Sequence, residues 1–77
     1  MNLPVVDMKQ TGLNIQRLRN EHGLSVKELQ LLMGFASPQA IYKWQHGESL
    51  PTVDNLLALS AIFCVPIEDI LAVDDIL

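Results

Sequence analysis

The sequence predicts an all-α domain of five short helices, and three observations carry that prediction. Nowhere do apolar and polar residues alternate strictly by two, the pattern of a half-buried strand. Helix-start signals recur at Ser25, at Ser37-Pro38 and at Thr52, each ahead of an apolar segment. Gly23, Gly34 and Gly47 stand where helices should end, as residues able to take the left-handed conformation of a C-terminal cap.

Each element follows in order. Residues 1–10 contain Pro4 and no sustained period, and are expected to form a flexible arm. The helical domain is expected over residues 11–72, with 73–77 as an acidic and apolar tail. A first helix runs from Leu13 or Ile15 to His22, with Ile15 and Leu18 inward and Gln16, Arg17 and Asn20 outward. Ser25-Val26-Lys27-Glu28 is a capping box: Ser25 oxygen accepts from the Glu28 amide, and the Glu28 carboxylate accepts from the Ser25 amide. The second helix therefore starts at Val26, with Leu29, Leu32 and Met33 as its inner stripe, and ends at Gly34. The third has Ser37 as cap and Pro38 at its first position, where a missing N–H costs nothing. It runs to about His46, and Ile41 and Trp44 share its inward face. Thr52 caps a fourth helix, with Asp54 in the first turn beside the positive end of the dipole. Leu56, Leu57, Leu59, Ile62 and Phe63 are apolar nearly all round it, so it is expected to be the central helix. Pro66 opens a fifth, from Ile67 to about Leu71.

Composition narrows the class. Seventy-seven residues make one domain at most. The single cysteine, Cys64, excludes an internal disulfide framework and is expected to be a small buried apolar residue. Apolar residues at 49% suit a packed core and exclude a disordered chain. No apolar run approaches the roughly 18–20 residues of a membrane span, and Met1-Asn2-Leu3-Pro4 lacks the pattern of a signal peptide. A soluble cytoplasmic domain is expected. His22, His46 and Cys64 fit no metal-ligand spacing, and no nucleophile, phosphate-loop or paired-carboxylate motif is present. No metal, no cofactor and no enzyme activity are expected.

The net charge is −4, but its distribution is polarised. Residues 9–46 hold Lys9, Arg17, Arg19, Lys27 and Lys43 against Glu21 and Glu28, a balance of +3. Residues 47–77 carry six acidic groups and no basic one. A local field can therefore favour phosphate while the total does not.

Two capped helices joined by a short glycine-containing turn, over residues 26–33 and 38–45, make a helix-turn-helix. Such a unit can lay its second helix in the major groove while the first crosses the backbone, where Lys27 and free amides can hold phosphate. The longer string is more specific: Ile15-x-x-Leu18-Arg19, Gly23-Leu24-Ser25, Glu28-Leu29, Gly34, Ile41-x-x-Trp44-x-x-Gly47-x-x-x-Pro51 and Leu56-Leu57-x-Leu59. It resembles the phage-repressor/Cro-like helix-turn-helix family over about residues 13–71. That resemblance implies a five-helix, lambda-repressor-like DNA-binding fold, usually dimeric, whose third helix reads an operator.

Carried over by position, the resemblance puts the base-facing slots on Ser37, Pro38, Gln39 and Lys43. Gln39 can bond adenine bidentately, and Tyr42 either packs on its own helix or reaches the DNA. The chain departs from the family at Val26, where a phosphate-contacting Gln is frequent, and at Gln30, where a small Ala is usual. Its turn (Phe35, Ala36, Ser37) looks one residue longer, and a buried Arg–Glu pair becomes Arg19 with Gln45. Trp44 is expected in the core, Arg19 in a structural role and Arg17 as a surface charge.

The function expected is that of a sequence-specific double-stranded DNA-binding regulator, a bacterial repressor acting as a homodimer on a palindromic operator. The alternative is an antitoxin-like or accessory module that binds a protein partner through the acidic, apolar C-terminal third. The dimer surface is expected from Ile67, Ile70, Leu71, Val73, Ile76 and Leu77, which exceed what a short fifth helix can bury.

Overall fold

A computed structural model of the chain describes residues 3–75. In chain order the elements are β1 (Pro4–Val6), α1 (Met8–Glu21), α2 (Val26–Met33), α3 (Gln39–Gln45), α4 (Val53–Phe63), α5 (Ile67–Ile70) and β2 (Val73–Asp75). The five expected helices are all present, but both ends of the described chain depart from expectation.

Within the expected flexible arm, Pro4–Val6 is a strand and Met8 already begins α1. Pro4–Val6 pairs antiparallel with Val73–Asp75, so neither a free arm nor a free acidic tail is found there. Strands of three residues are too short to display alternation, and these lie at opposite ends of the sequence. The Asp7 N–H donates to the Ala72 carbonyl at 2.8 Å. By the alternation of an antiparallel ladder, Pro4 then turns its N-side away from β2, where its missing N–H leaves the ladder intact. The outer edge of β1 is thereby a poor template for a further strand.

α1 starts at Met8, well before Leu13. Asp7 is the cause: its side chain accepts from the Gln10 amide at 2.9 Å. The first turns show no apolar period because their inward residues are small, Thr11 and Gly12, and both are buried. Thr11 Oγ1 accepts from the Ala72 amide at 2.9 Å, and Asn14 Nδ2 donates to the Ile70 carbonyl at 3.1 Å. α1 thus holds the C-terminal segment in place.

Ile15, Leu18, Leu29, Ile41, Trp44, Leu56, Leu59, Phe63 and Ile70 form the core. Phe35 meets Trp44 edge-on, with ring centroids 5.7 Å apart. α1 packs most extensively on α3. A Cβ added to Gly12 would overlap the Trp44 carbonyl oxygen and lie 2.9 Å from that of Gln45. Glycine here permits two helix backbones to touch.

Several inward-facing assignments change. On α2, Leu32 is exposed and Gln30 is buried in its place. The core-facing row is Val26, Leu29, Gln30 and Met33, a spacing of three, four and seven that excludes Leu32. On α4, Leu57 points outward with 55% of its surface exposed, so that helix is not buried all round. Cys64 is exposed, because it closes α4 in the left-handed conformation (φ 55°) beyond the last buried turn. Ile70, expected on a dimer surface, is fully buried in the core. Its neighbour Leu71 is half-buried against that core.

Gly12→Ala should unfold the domain or lower its stability by about 3 kcal/mol, the upper end of ordinary overpacking. The same change at an unconstrained helix position would raise stability. Thermal unfolding followed by circular dichroism reads the sign directly. Trp44, the only tryptophan, should emit blue-shifted light in the native state and move to the red in denaturant, since only 3% of it is exposed.

Candidate nucleic-acid interface

The helix-turn-helix is built from caps. Glu28 N–H donates to Ser25 Oγ at 3.0 Å, and Ser25 N–H donates to the Glu28 carboxylate at 3.1 Å. The expected capping box is therefore complete, and α2 begins at Val26 with Lys27 exposed in its first turn. The Ser25 amide, and after it the Ser25 hydroxyl, hold the Glu28 carboxyl below its ordinary value of 4.5. Gly34 closes α2 at φ 73°, and the Phe35 amide donates to the Gln30 carbonyl at 3.0 Å. The Gln30 side chain adds a second tie, Nε2 donating to the Phe35 carbonyl at 3.2 Å. Its Oε1 is buried without a partner among the described residues. The long Gln30 side chain thus fastens the turn ahead of α3.

α3 begins one residue later than expected. Pro38 occupies the cap position, its carbonyl accepting from the Tyr42 amide at 3.2 Å, and no side chain caps the helix. Ser37 lies outside the helix, exposed in the turn. Pro38 is half-buried. Ile41 and Trp44 turn inward, while Gln39, Tyr42 and Lys43 are exposed. Three of the expected contact residues, Gln39, Tyr42 and Lys43, therefore share the open face of α3. Ser37 and Pro38 flank its start, and Lys27 stands on the preceding helix.

His46, absent from the expected contacts, extends that face. It is exposed one turn beyond Tyr42, their rings stacked with centroids 6.2 Å apart. Its position four residues after Tyr42 is the signal that points to it. Lys9 also reaches this end of the molecule. A Cβ on Gly47 would sit 3.0 Å from the Lys9 Cα, so α1 meets the chain just past His46. Nothing local in the sequence brings Lys9 there, because the α1–α3 packing is tertiary.

The orientation of α3 depends on Arg19. Its Nε donates to Gln45 Oε1 at 3.0 Å and its NH1 to the Leu24 carbonyl at 2.7 Å. One side chain of α1 thus joins the α1–α2 turn to the end of α3, the structural role expected of it. Arg17 pairs on the surface with Glu21 at 3.1 Å. Among the described residues no group of acidic, His and Cys side chains is placed to hold a metal ion. None of the described helices is long and apolar enough to cross a membrane.

A capped helix, a fastened turn and a second helix with an open polar face define a helix-turn-helix domain. The helix-turn-helix family model of Cro/C1 type matches residues 15–70, and the chain belongs to that family. It is a family of DNA-binding, non-enzymatic proteins. Among solved structures, the restriction-modification controller protein C.AhdI from Aeromonas hydrophila superposes with a TM-score of 0.74 at 22% identity, covering 83% of this chain and 96% of that one. The DNA-binding domain of BldD superposes with a TM-score of 0.72 at 22% identity, over 86% of this chain and 94% of that one. That of S. venezulae BldD gives 0.72 at 22% identity, over 86% and 97%. At this identity the likenesses speak for the fold. No curated protein sequence matches the chain.

Gln45→Glu should raise stability by about 1 kcal/mol, because a carboxylate accepts more strongly from guanidinium than an amide does. Gln45→Ala should lower it, by leaving Arg19 half-buried with one partner fewer. Paired denaturant titrations would measure both. The Glu28 carboxyl should titrate below 4.5 in an NMR pH series, and move back toward that value in Ser25→Ala. A lowered folded value means that Glu28 supports the fold above its ordinary pKa. That support is lost as pH falls through the lowered value.

Proposed function

We propose that this protein is a sequence-specific transcriptional repressor that lays α3 in the major groove of double-stranded DNA. The observation that carries the proposal is the open face of α3. Gln39, Tyr42 and Lys43 are exposed there with no carboxylate among α3 residues, while Ile41 and Trp44 anchor the opposite face. Gln39 opens the helix, at the end from which a recognition helix addresses base edges. Its amide can donate to adenine N7 and accept from N6. Lys43, one turn further, reaches either guanine or phosphate. Lys27 and the first-turn amides of α2 hold the backbone, and Ser37 and Pro38 line the entry to the groove.

One helix of seven residues spans too few base pairs to find a site in a genome. We therefore take the working form to be a homodimer on a palindromic operator, in the cytoplasm of a bacterial cell. Exposed Val73 and half-buried Ile67 and Leu71 are the described residues that remain available for its interface. Ile70 is withdrawn from it by burial, and Ile76 and Leu77 lie outside the described residues. A second reading, a module that binds a protein partner, draws on exposed Leu31, Leu32, Val53 and Leu57.

Selection of bound sequences from a random duplex library, with non-specific competitor present, tests the class. Recovery of a palindromic site is expected, and no enrichment would favour the protein-binding reading. Gln39→Ala should cost about 1–3 kcal/mol of discrimination at one base-pair step, with thermal stability unchanged. The slope of log K against log salt should be about −3 to −6 for the dimer. A slope near zero would rule out phosphate binding through this face.

A further inference from the structure

We infer that Lys9, His46 and Lys43 form a second phosphate-holding element at the far end of α3, grafted from α1 onto the helix-turn-helix. The inference rests on the proposed DNA reading of α3 and adds a DNA-holding group from outside that motif. Three observations bring the residues together. The Lys9 backbone abuts Gly47: a Cβ on that glycine would lie 3.0 Å from the Lys9 Cα and 3.4 Å from its Cβ. His46 immediately precedes Gly47, is exposed, and stacks on Tyr42. His46 is the C-cap of α3 with near-helical backbone, three residues after Lys43, so the two share the open face. The side chain of Lys9 is exposed and has no hydrogen-bond or ion-pair partner among the described residues.

Helix dimensions identify the ligand. Seven residues of α-helix are about 10 Å long, and the major groove is about 12 Å wide. With Gln39 at the base edges, the other end of α3 stands against the groove wall, where phosphates line the backbone. The lysine ammonium groups at that end face phosphate charge and not bases, and the His46 ring can donate an N–H to phosphate. Lys27, on the first turn of α2, holds phosphate ahead of α3. Lys9 and His46 hold it beyond α3, so the recognition helix is fixed at both ends. Two carboxylates lie close in sequence. Asp7 is half-buried and engaged in capping α1 through the Gln10 amide. Glu48 is exposed just after Gly47, its amide donating to the Lys43 carbonyl at 2.9 Å, and its charge opposes the cluster.

The test compares wild type, Lys9→Gln, Lys9→Arg and Glu48→Gln on the selected duplex and on a scrambled one, across a salt series. Removing one phosphate-neutralising charge should lower affinity roughly fivefold to tenfold per subunit near 0.1 M salt and flatten the salt slope by about 0.9 per subunit, about 1.8 for the dimer. Lys9→Gln should do this equally on both duplexes, with its thermal midpoint unchanged. Lys9→Arg should retain wild-type binding, and Glu48→Gln should tighten binding on both duplexes. If wild type binds with a salt slope that Lys9→Gln leaves untouched, the second element does not exist while the DNA reading stands. A change in base preference with Lys9→Gln would also overturn a phosphate role. If wild type binds no duplex at all, the reading of α3 fails and this one with it.

Discussion

The close approach of α1 and α3 at Gly12 organises this domain. A helix as short as α3 has little stability of its own, so its position is imposed by what its inward face meets. Gly12 lets the α1 backbone reach the carbonyls of Trp44 and Gln45, and any larger residue would push the helices apart. Trp44 then fills the core beside Ile15 and Ile41, with Phe35 against its ring. Burial of that aromatic and close passage of the two backbones support each other. Neither would persist at the separation of an ordinary helix pair.

Hydrogen bonds convert that packing into a defined orientation. Arg19 reaches from α1 to Gln45 and Leu24, and Gln30 ties the α2–α3 turn at Phe35. Packing sets how near α3 lies, and these polar ties set how it is turned. The open face with Gln39, Tyr42 and Lys43 follows from both. Neutral Gln45 makes the Arg19 tie weaker than a carboxylate would. Gln30, with one orphaned oxygen, carries a cost that an alanine would avoid. The site is therefore held by adequate interactions and not by the strongest available ones.

The terminal ribbon extends the same logic to the ends of the chain. Asp7 starts α1 early, and that extra length carries Lys9 to the end of α3 and Thr11 to Ala72. Strand, helix start and C-terminal segment are thus one connected unit. The polarised charge of the sequence acquires a spatial meaning here. Lys43 stands on α3 and Lys9 at its end, while the acidic third of the chain contributes α4, α5 and β2.

Signals that act within a few residues could be read in the sequence alone. The Ser25–Glu28 box, the Thr52 cap, the glycine stops and the inward pair Ile41 and Trp44 depend on spacing along one helix, and the structure has them where spacing put them. The family string, and with it the open face of α3, was legible for the same reason. Tertiary structure alone decided the rest. Buried Gln30 and exposed Leu32 reflect which neighbour α2 meets, which hydrophobicity cannot rank. The early start of α1 was hidden because its inward residues are small. The β1–β2 pair joins opposite ends of the chain, and the approach of Lys9 to Gly47 depends on how two helices dock. A pattern along the chain records local geometry, whereas distant segments meet only once the core has brought them together.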